Sequence, residues 1–137
     1  MKNKLLTGLG LLMMWCAGCT YRNEQDLYPQ GGAKCQSDTV TVVSFSQHIQ
    51  PIFRQNCALS GCHNSISHEG GLNLDSAFAY QNLFATGSGY IDTTDPTSSL
   101  LYSQMRSVSL PMPPTGLLDS CTTKMVLKWI TQKALNN

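Results

Sequence analysis

The run Asn56-Cys57-Ala58-Leu59-Ser60-Gly61-Cys62-His63 constrains this chain more than any other stretch. Two thiols with an imidazole directly after the second are the groups that covalent haem attachment uses. Each thiol adds to one vinyl group of a porphyrin, and the histidine is held under the plane as an axial ligand of the iron. A chain that does this has to fold around a large, flat, apolar group that replaces part of its side-chain core. The usual attachment run holds two residues between the cysteines, and this one holds four. The extra residues must bulge outward, and Gly61 gives the loop backbone freedom beside Cys62. Two other uses of the same residues are a local Cys57–Cys62 disulfide, which leaves His63 idle, and a zinc site. Zinc wants four ligands, and the remaining histidines, His48 and His68, are isolated in the sequence.

The start of the chain points to export. Lys2 and Lys4 precede an apolar stretch from Leu5 to Trp15, closed by Cys16-Ala17-Gly18-Cys19. A stretch that short does not span a bilayer and suits the middle of a secretory signal. The small residues before Cys19 resemble a lipobox, which makes residues 1–18 a lipoprotein signal peptide and Cys19 the lipidated first residue of the mature chain. Cleavage without lipid is the alternative. In either case the protein is expected outside the cytoplasm, on the periplasmic face of a bacterial membrane or at the cell surface, where thiols can be oxidised and haem attached. Residues 19–38 are polar, contain Pro29, Gly31 and Gly32, and read as a flexible tether. Residues 39–137 are then one domain, since about 119 of the 137 residues remain after the leader. Charged residues make up 12% of the chain and the net charge is +1, with no basic stripe, so nucleic acid is not an expected partner.

The signals along that domain are helical. Thr39 to Phe45 is β-branched and expected to be extended. A helix is expected from near Ser46, with Ile49, Ile52 and Phe53 on one face and Pro51 in its first turn, ending at the attachment run. Asp75 is placed to cap a short helix through Leu83. Asp95-Pro96 has the form of an N-cap and first helical proline, opening a helix through about Arg106. Pro111, Pro113 and Pro114 exclude regular structure. Asp119 or Ser120 caps a last helix to about Leu135, with Met125, Val126, Trp129, Ile130 and Ala134 as its apolar stripe. The fold class is therefore all-α, with long irregular connections.

The attachment run, Gly70-Gly71-Leu72-Asn73-Leu74, Ser99-Leu100-Leu101-Tyr102, Met112-Pro113-Pro114 and Trp129-Ile130 together resemble a class I cytochrome c domain, of the kind found in exported proteins of planctomycetes and Bacteroidetes. The resemblance covers roughly residues 45 to 135. It implies one covalent haem c enclosed by helices, crossing N- and C-terminal helices, and Met112 as the second axial ligand. Elimination over the residues leads to the same methionine. Met1, Met13 and Met14 leave with the signal, and Met105 and Met125 fall on expected helices, where methionine is usually packing. Met112 lies between two prolines in a stiff loop that holds a weak thioether at little entropic cost. A loop methionine without a ligand role, or His48 or His68 in the sixth position, are the alternatives.

Cys35 and Cys121 remain, and a disulfide between them would staple the N-terminal arm to the last helix, the alternative being two free thiols. A six-coordinate His/Met haem has no open position, so the expected function is single-electron transfer between redox proteins, not enzymatic catalysis. The carrier is expected to be a tethered monomer. A haem enzyme or ligand sensor with a labile Met112 and a haem-free, disulfide-stabilised lipoprotein module are the competing readings.

Overall fold

The computed structural model describes residues 35–137. The signal peptide, Cys19 and most of the 19–38 tether lie outside the described residues. Among the described residues there is no strand and no helix long and apolar enough to cross a membrane. The helices are α1 (Gln36–Thr39), α2 (Gln50–Asn56), α3 (Ala79–Leu83), α4 (Leu100–Arg106) and α5 (Ser120–Thr131). A π-helical turn (Phe45–Ile49) leads into α2, and 3₁₀ turns occupy Glu69–Gly71 and Pro96–Ser98. The chain is all-α, as the patterning predicts.

Pro51 accounts for the π turn. In an unbroken α-helix its ring would meet the carbonyl four residues earlier, and it has no N–H to donate. The wider turn ahead of it leaves Pro51 in the first turn of α2, where that donor is not needed. The Ser44 hydroxyl caps the π turn by accepting the Gln47 amide at 3.3 Å. The 39–45 segment is not extended throughout as expected: Thr39 closes α1, Phe45 opens the π turn, the chain bends at Thr41 and Val42, and Val40 and Ser44 beside them carry extended dihedrals. Two of its backbone groups are met by one side chain, Gln132, whose Nε2 donates to the Thr41 carbonyl (2.7 Å) and whose Oε1 accepts the Val43 amide (2.8 Å).

The core sits between the π turn, α2, α3 and α5. Trp129, Ile130, Val126, Ile49 and Phe53 are fully buried. Phe45 lies 5.3 Å from Trp129 and 5.2 Å, edge-on, from Tyr80, between ring centroids. The Trp129 indole donates to the Leu135 carbonyl at 2.9 Å and the hydroxyl of half-buried Tyr80 to the Ala134 carbonyl at 3.0 Å, so neither aromatic leaves its polar atom unpaired.

Three further expected elements differ in the structure. Asp75 does not cap α3, because its carboxylate turns back to accept the Ser65 amide at 2.7 Å. The helix expected from Asp95-Pro96 is broken at Ser99, whose ψ of 127° separates a 3₁₀ turn from α4; the buried Ser99 hydroxyl is taken up by the Asp92 backbone instead. Finally, α5 stops at Thr131, short of Leu135. Lys133 and Ala134 adopt left-handed φ of 71° and 48°, and that reversal, not a continued helix, buries Ala134.

Residues 35–38, grouped with the tether on composition, are part of the folded unit. Cys35 and Cys121 form a disulfide with Cα atoms 5.3 Å apart. Beside it the Lys128 ammonium donates to the Ser37 carbonyl (2.8 Å) and the Val40 carbonyl (2.6 Å), satisfying orphan acceptors at the end of α1.

Candidate functional site

The attachment run begins where α2 ends. The Cys57 and Ala58 amides both donate to the Phe53 carbonyl at 2.8 Å, which closes the helix. The chain then leaves the surface through exposed Leu59, Ser60 and Gly61, with Gly61 at φ +79°, and returns at Cys62, whose amide donates to the Leu59 carbonyl. The His63 amide donates to the Cys57 carbonyl at 3.1 Å. That bond locks the long spacing: the two added residues sit in the outward loop, and Cys57 and His63 stay together.

Downstream, Asn64 organises the return. Its Oδ1 accepts the Ile66 and Ser67 amides and its Nδ2 donates to the Leu59 carbonyl. The chain comes back along the run: the Glu69 amide donates to the Cys62 carbonyl and the Leu74 amide to the His63 carbonyl at 2.7 Å. Nδ1 of His63 lies 2.9 Å from the Glu69 carbonyl. A carbonyl only accepts, so Nδ1 carries the proton, and Nε2 is left with a lone pair for a metal.

These residues border a cleft of about 180 Å³. Its walls are Leu72, Leu74, Tyr90 and, from α4, Leu100, Leu101 and Met105; Cys57, His63, Glu69 and Met112 stand around it. A second cleft of about 100 Å³ shares those last four residues and adds Gly61, Cys62 and the Met112–Pro114 stretch. Cys57, His63 and Met112 therefore meet at one place, and Cys62 joins them in the smaller cleft. The Met112 amide donates to the Gln104 carbonyl at 3.1 Å, which ties the proline-rich loop to the end of α4. Among the described residues Glu69 is the one charged residue lining either cleft.

Cys57 and Cys62 are separate thiols, not a local disulfide. Burial, and secondarily the neighbouring Cys62, pushes the Cys57 thiol up to about 11, so it is neutral at ordinary pH. Among the described residues no group of three or more His, Cys, Asp or Glu is placed to hold a metal ion as a cluster. The two remaining histidines stand elsewhere. His48 accepts the Ser44 amide through Nδ1 (2.9 Å) and faces a different, polar cleft beside Cys121. His68 is exposed with φ +45° and lines neither cleft of the attachment run.

A covalently attached haem calls for two thiols, an imidazole with a free Nε2 and apolar walls, and the residues present fit those needs. Sequence reasoning did not assign Tyr90 or Met105 to the site. The spacing of Leu101 and Met105 on α4 marks an apolar face, but nothing local says that this face borders a cleft.

The family described as Planctomycete cytochrome C matches residues 60–116. The match takes in Cys62, His63, Gly70-Gly71-Leu72 and Met112-Pro113-Pro114, and begins three residues after Cys57. Over that stretch the chain is similar to a planctomycete cytochrome c domain. No curated protein and no solved structure matches the chain.

Proposed function

We propose that the protein is an exported, lipid-tethered monohaem c-type cytochrome that passes single electrons between redox proteins. The observation that carries this reading is the meeting of Cys57, His63 and Met112 at one apolar cleft, with Nδ1 of His63 already engaged and Nε2 free. When bound, the haem iron supplies the one-electron ferrous/ferric couple. Cys57 and Cys62 would hold the macrocycle by thioether bonds, His63 and Met112 would take the two axial positions, and Leu72, Leu74, Leu101 and Met105 would keep water from its faces. Cys19 would carry the lipid, and residues 20–34 would give the domain reach over the membrane surface.

The rim suits a partner with an uncharged apolar face around its own cofactor edge. Residues 57–68 and 107–118, which flank the clefts, contain no Asp, Glu, Lys or Arg, and Glu69 is the single charge beside them that lines the clefts among the described residues. Ile66, Val108 and Leu110 on them are 89%, 86% and 72% exposed. Electron exchange should therefore depend little on ionic strength.

Expression with haem-maturation genes tests the reading. Intact mass after acid–acetone extraction should exceed the polypeptide by one haem, and the reduced protein should show a low-spin c-type spectrum. A mass equal to the bare chain overturns it. Cys19→Ser should release the protein from membranes with its haem; a variant that stays bound refutes the lipid. The second reading, an open-iron sensor or enzyme, draws on Met112 being 36% exposed in a loop, and carbon monoxide binding by the unaltered protein would favour it.

A further inference from the structure

The Gly70-Gly71 pair lies in a backbone turn of unusual conformation. His68, Gly70 and Gly71 have φ of +45°, +63° and +75°, so three of the four residues from 68 to 71 are left-handed. A non-glycine residue pays about 1–2 kcal/mol in that region. Close packing does not explain the glycines, since a Cβ at either position would meet nothing within 4 Å. Toward the protein's own atoms the requirement is one of backbone direction, and Gly70 also lines the cleft.

That direction decides where one carbonyl points. The peptide plane holding the Glu69 carbonyl ends at the Gly70 Cα, so rotation about the Gly70 N–Cα bond trades against the orientation of that plane. The turn cannot drift to accommodate a change, because it is tied at both sides. The Glu69 amide is held by the Cys62 carbonyl (3.2 Å), the Gly71 amide by the His68 carbonyl (2.7 Å), and Leu72 and Leu74 are buried in the cleft wall. Within that frame the Glu69 carbonyl meets Nδ1 of His63 at 2.9 Å.

We propose that Gly70 is the positioning residue of the His63 imidazole: its left-handed conformation aims the Glu69 carbonyl at Nδ1 and so selects the tautomer that leaves Nε2 as the ligand. The hydrogen bond stands on this chain alone; its part in ligation and the consequence for the iron rest on the haem reading above. A hydrogen bond from Nδ1 makes the imidazole a stronger donor, which favours ferric iron, so its loss should raise the midpoint potential.

The test sets Gly70→Val against Gly70→Asn. Asn tolerates the left-handed region and Val does not, while the two side chains are of similar size, so any crowding in the cleft that Gly70 lines is common to both. In haem-loaded full-length protein the His63 Nδ1–H should exchange slowly with solvent in the wild type and in Gly70→Asn, and fast in Gly70→Val. In haem-loaded protein the midpoint should rise in Gly70→Val and return towards the wild-type value in Gly70→Asn. If Gly70→Val does not fold, Gly70→Ala gives the same reading with a milder conformational cost. Wild-type exchange of the Nδ1–H in every variant, or equal shifts for Asn and Val, overturns the proposal. Failure of the unaltered protein to take up haem would sink the electron-carrier reading and this proposal with it, whereas haem uptake with no difference between the variants sinks the proposal alone.

Discussion

Cys35 and Cys121 are separated by 86 positions and are bonded, whereas Cys57 and Cys62 lie in a single loop and stay thiols. The first pair joins two segments that already lie together: α1 rests on α5, Lys128 clamps its carbonyls, and Asp119 caps the turn holding Cys121 by accepting the Cys121 and Thr122 amides at 2.9 Å. The second pair is parted by its own loop. The His63–Cys57 backbone bond draws the ends of the run together, while Cys57 lines both clefts and Cys62 only the smaller one. Closeness along the chain does not decide which thiols pair; the backbone that carries them does. One pair holds the fold, and the other is left available to the cleft.

Removing the available pair should have the largest effect. Cys57→Ala with Cys62→Ala should abolish covalent haem outright, while non-reducing peptide mapping still recovers Cys35 and Cys121 in one fragment. Loss of that cross-link in the same variant would show that the two pairs are not independent. Removing the stapling pair should do the converse. Cys35→Ser with Cys121→Ser should lower stability by about 4–5 kcal/mol in the chain-entropy view, read from the urea midpoint, with haem attachment retained. An unchanged midpoint would mean that the Lys128 clamp and the aromatic core already hold the arm.

Met112→Ala sharpens the comparison on the cleft side. Haem should remain attached, the sixth position should open to added imidazole or carbon monoxide, and the potential should fall as the thioether is lost. An unaltered spectrum would move the ligand away from Met112. The smallest effect concerns Asp119, on the staple side. Partial burial alone would raise its carboxyl, but hydrogen bonds from Thr122 and from the Cys121 amide outweigh that and hold it below the usual range. A carboxyl lowered by folding adds stability above its unfolded value of about 3.9, and that stability is lost as pH falls through the folded value. Acid titration of the urea midpoint should show a small loss there. Asp119→Asn, which keeps a cap without a charge, should reduce it; an identical acid slope in that variant would assign the loss to other carboxylates.

Much of the architecture was legible in short-range chemistry. Asp119 as an N-cap, Pro51 in a first turn and the stripe Met125, Val126, Trp129 and Ile130 each follow from groups within one or two turns of each other. The attachment run and the proline-flanked Met112 were legible as candidates for the same reason. Asp75 misled because its carboxylate had two possible amides, one in its own helix and one ten residues earlier at Ser65, and the loop after His63 brought the second closer. Asp95-Pro96 misled because the buried Ser99 hydroxyl is held by the Asp92 backbone, which breaks the helix between the 3₁₀ turn and α4.

Residue type and local spacing were enough to settle the helical class and the capping of α5, and to nominate the thiols, imidazole and thioether as candidates. Tertiary structure alone decided that Cys35 faces Cys121, that Met112 reaches the cleft of His63, and that Tyr90 and Met105 help to wall it. It also decided that the polar residues 35–38 belong to the folded unit. The physical reason is range: caps, prolines and helical stripes act through neighbours in the chain. A cleft exists only once segments far apart in sequence have buried their apolar faces against one another.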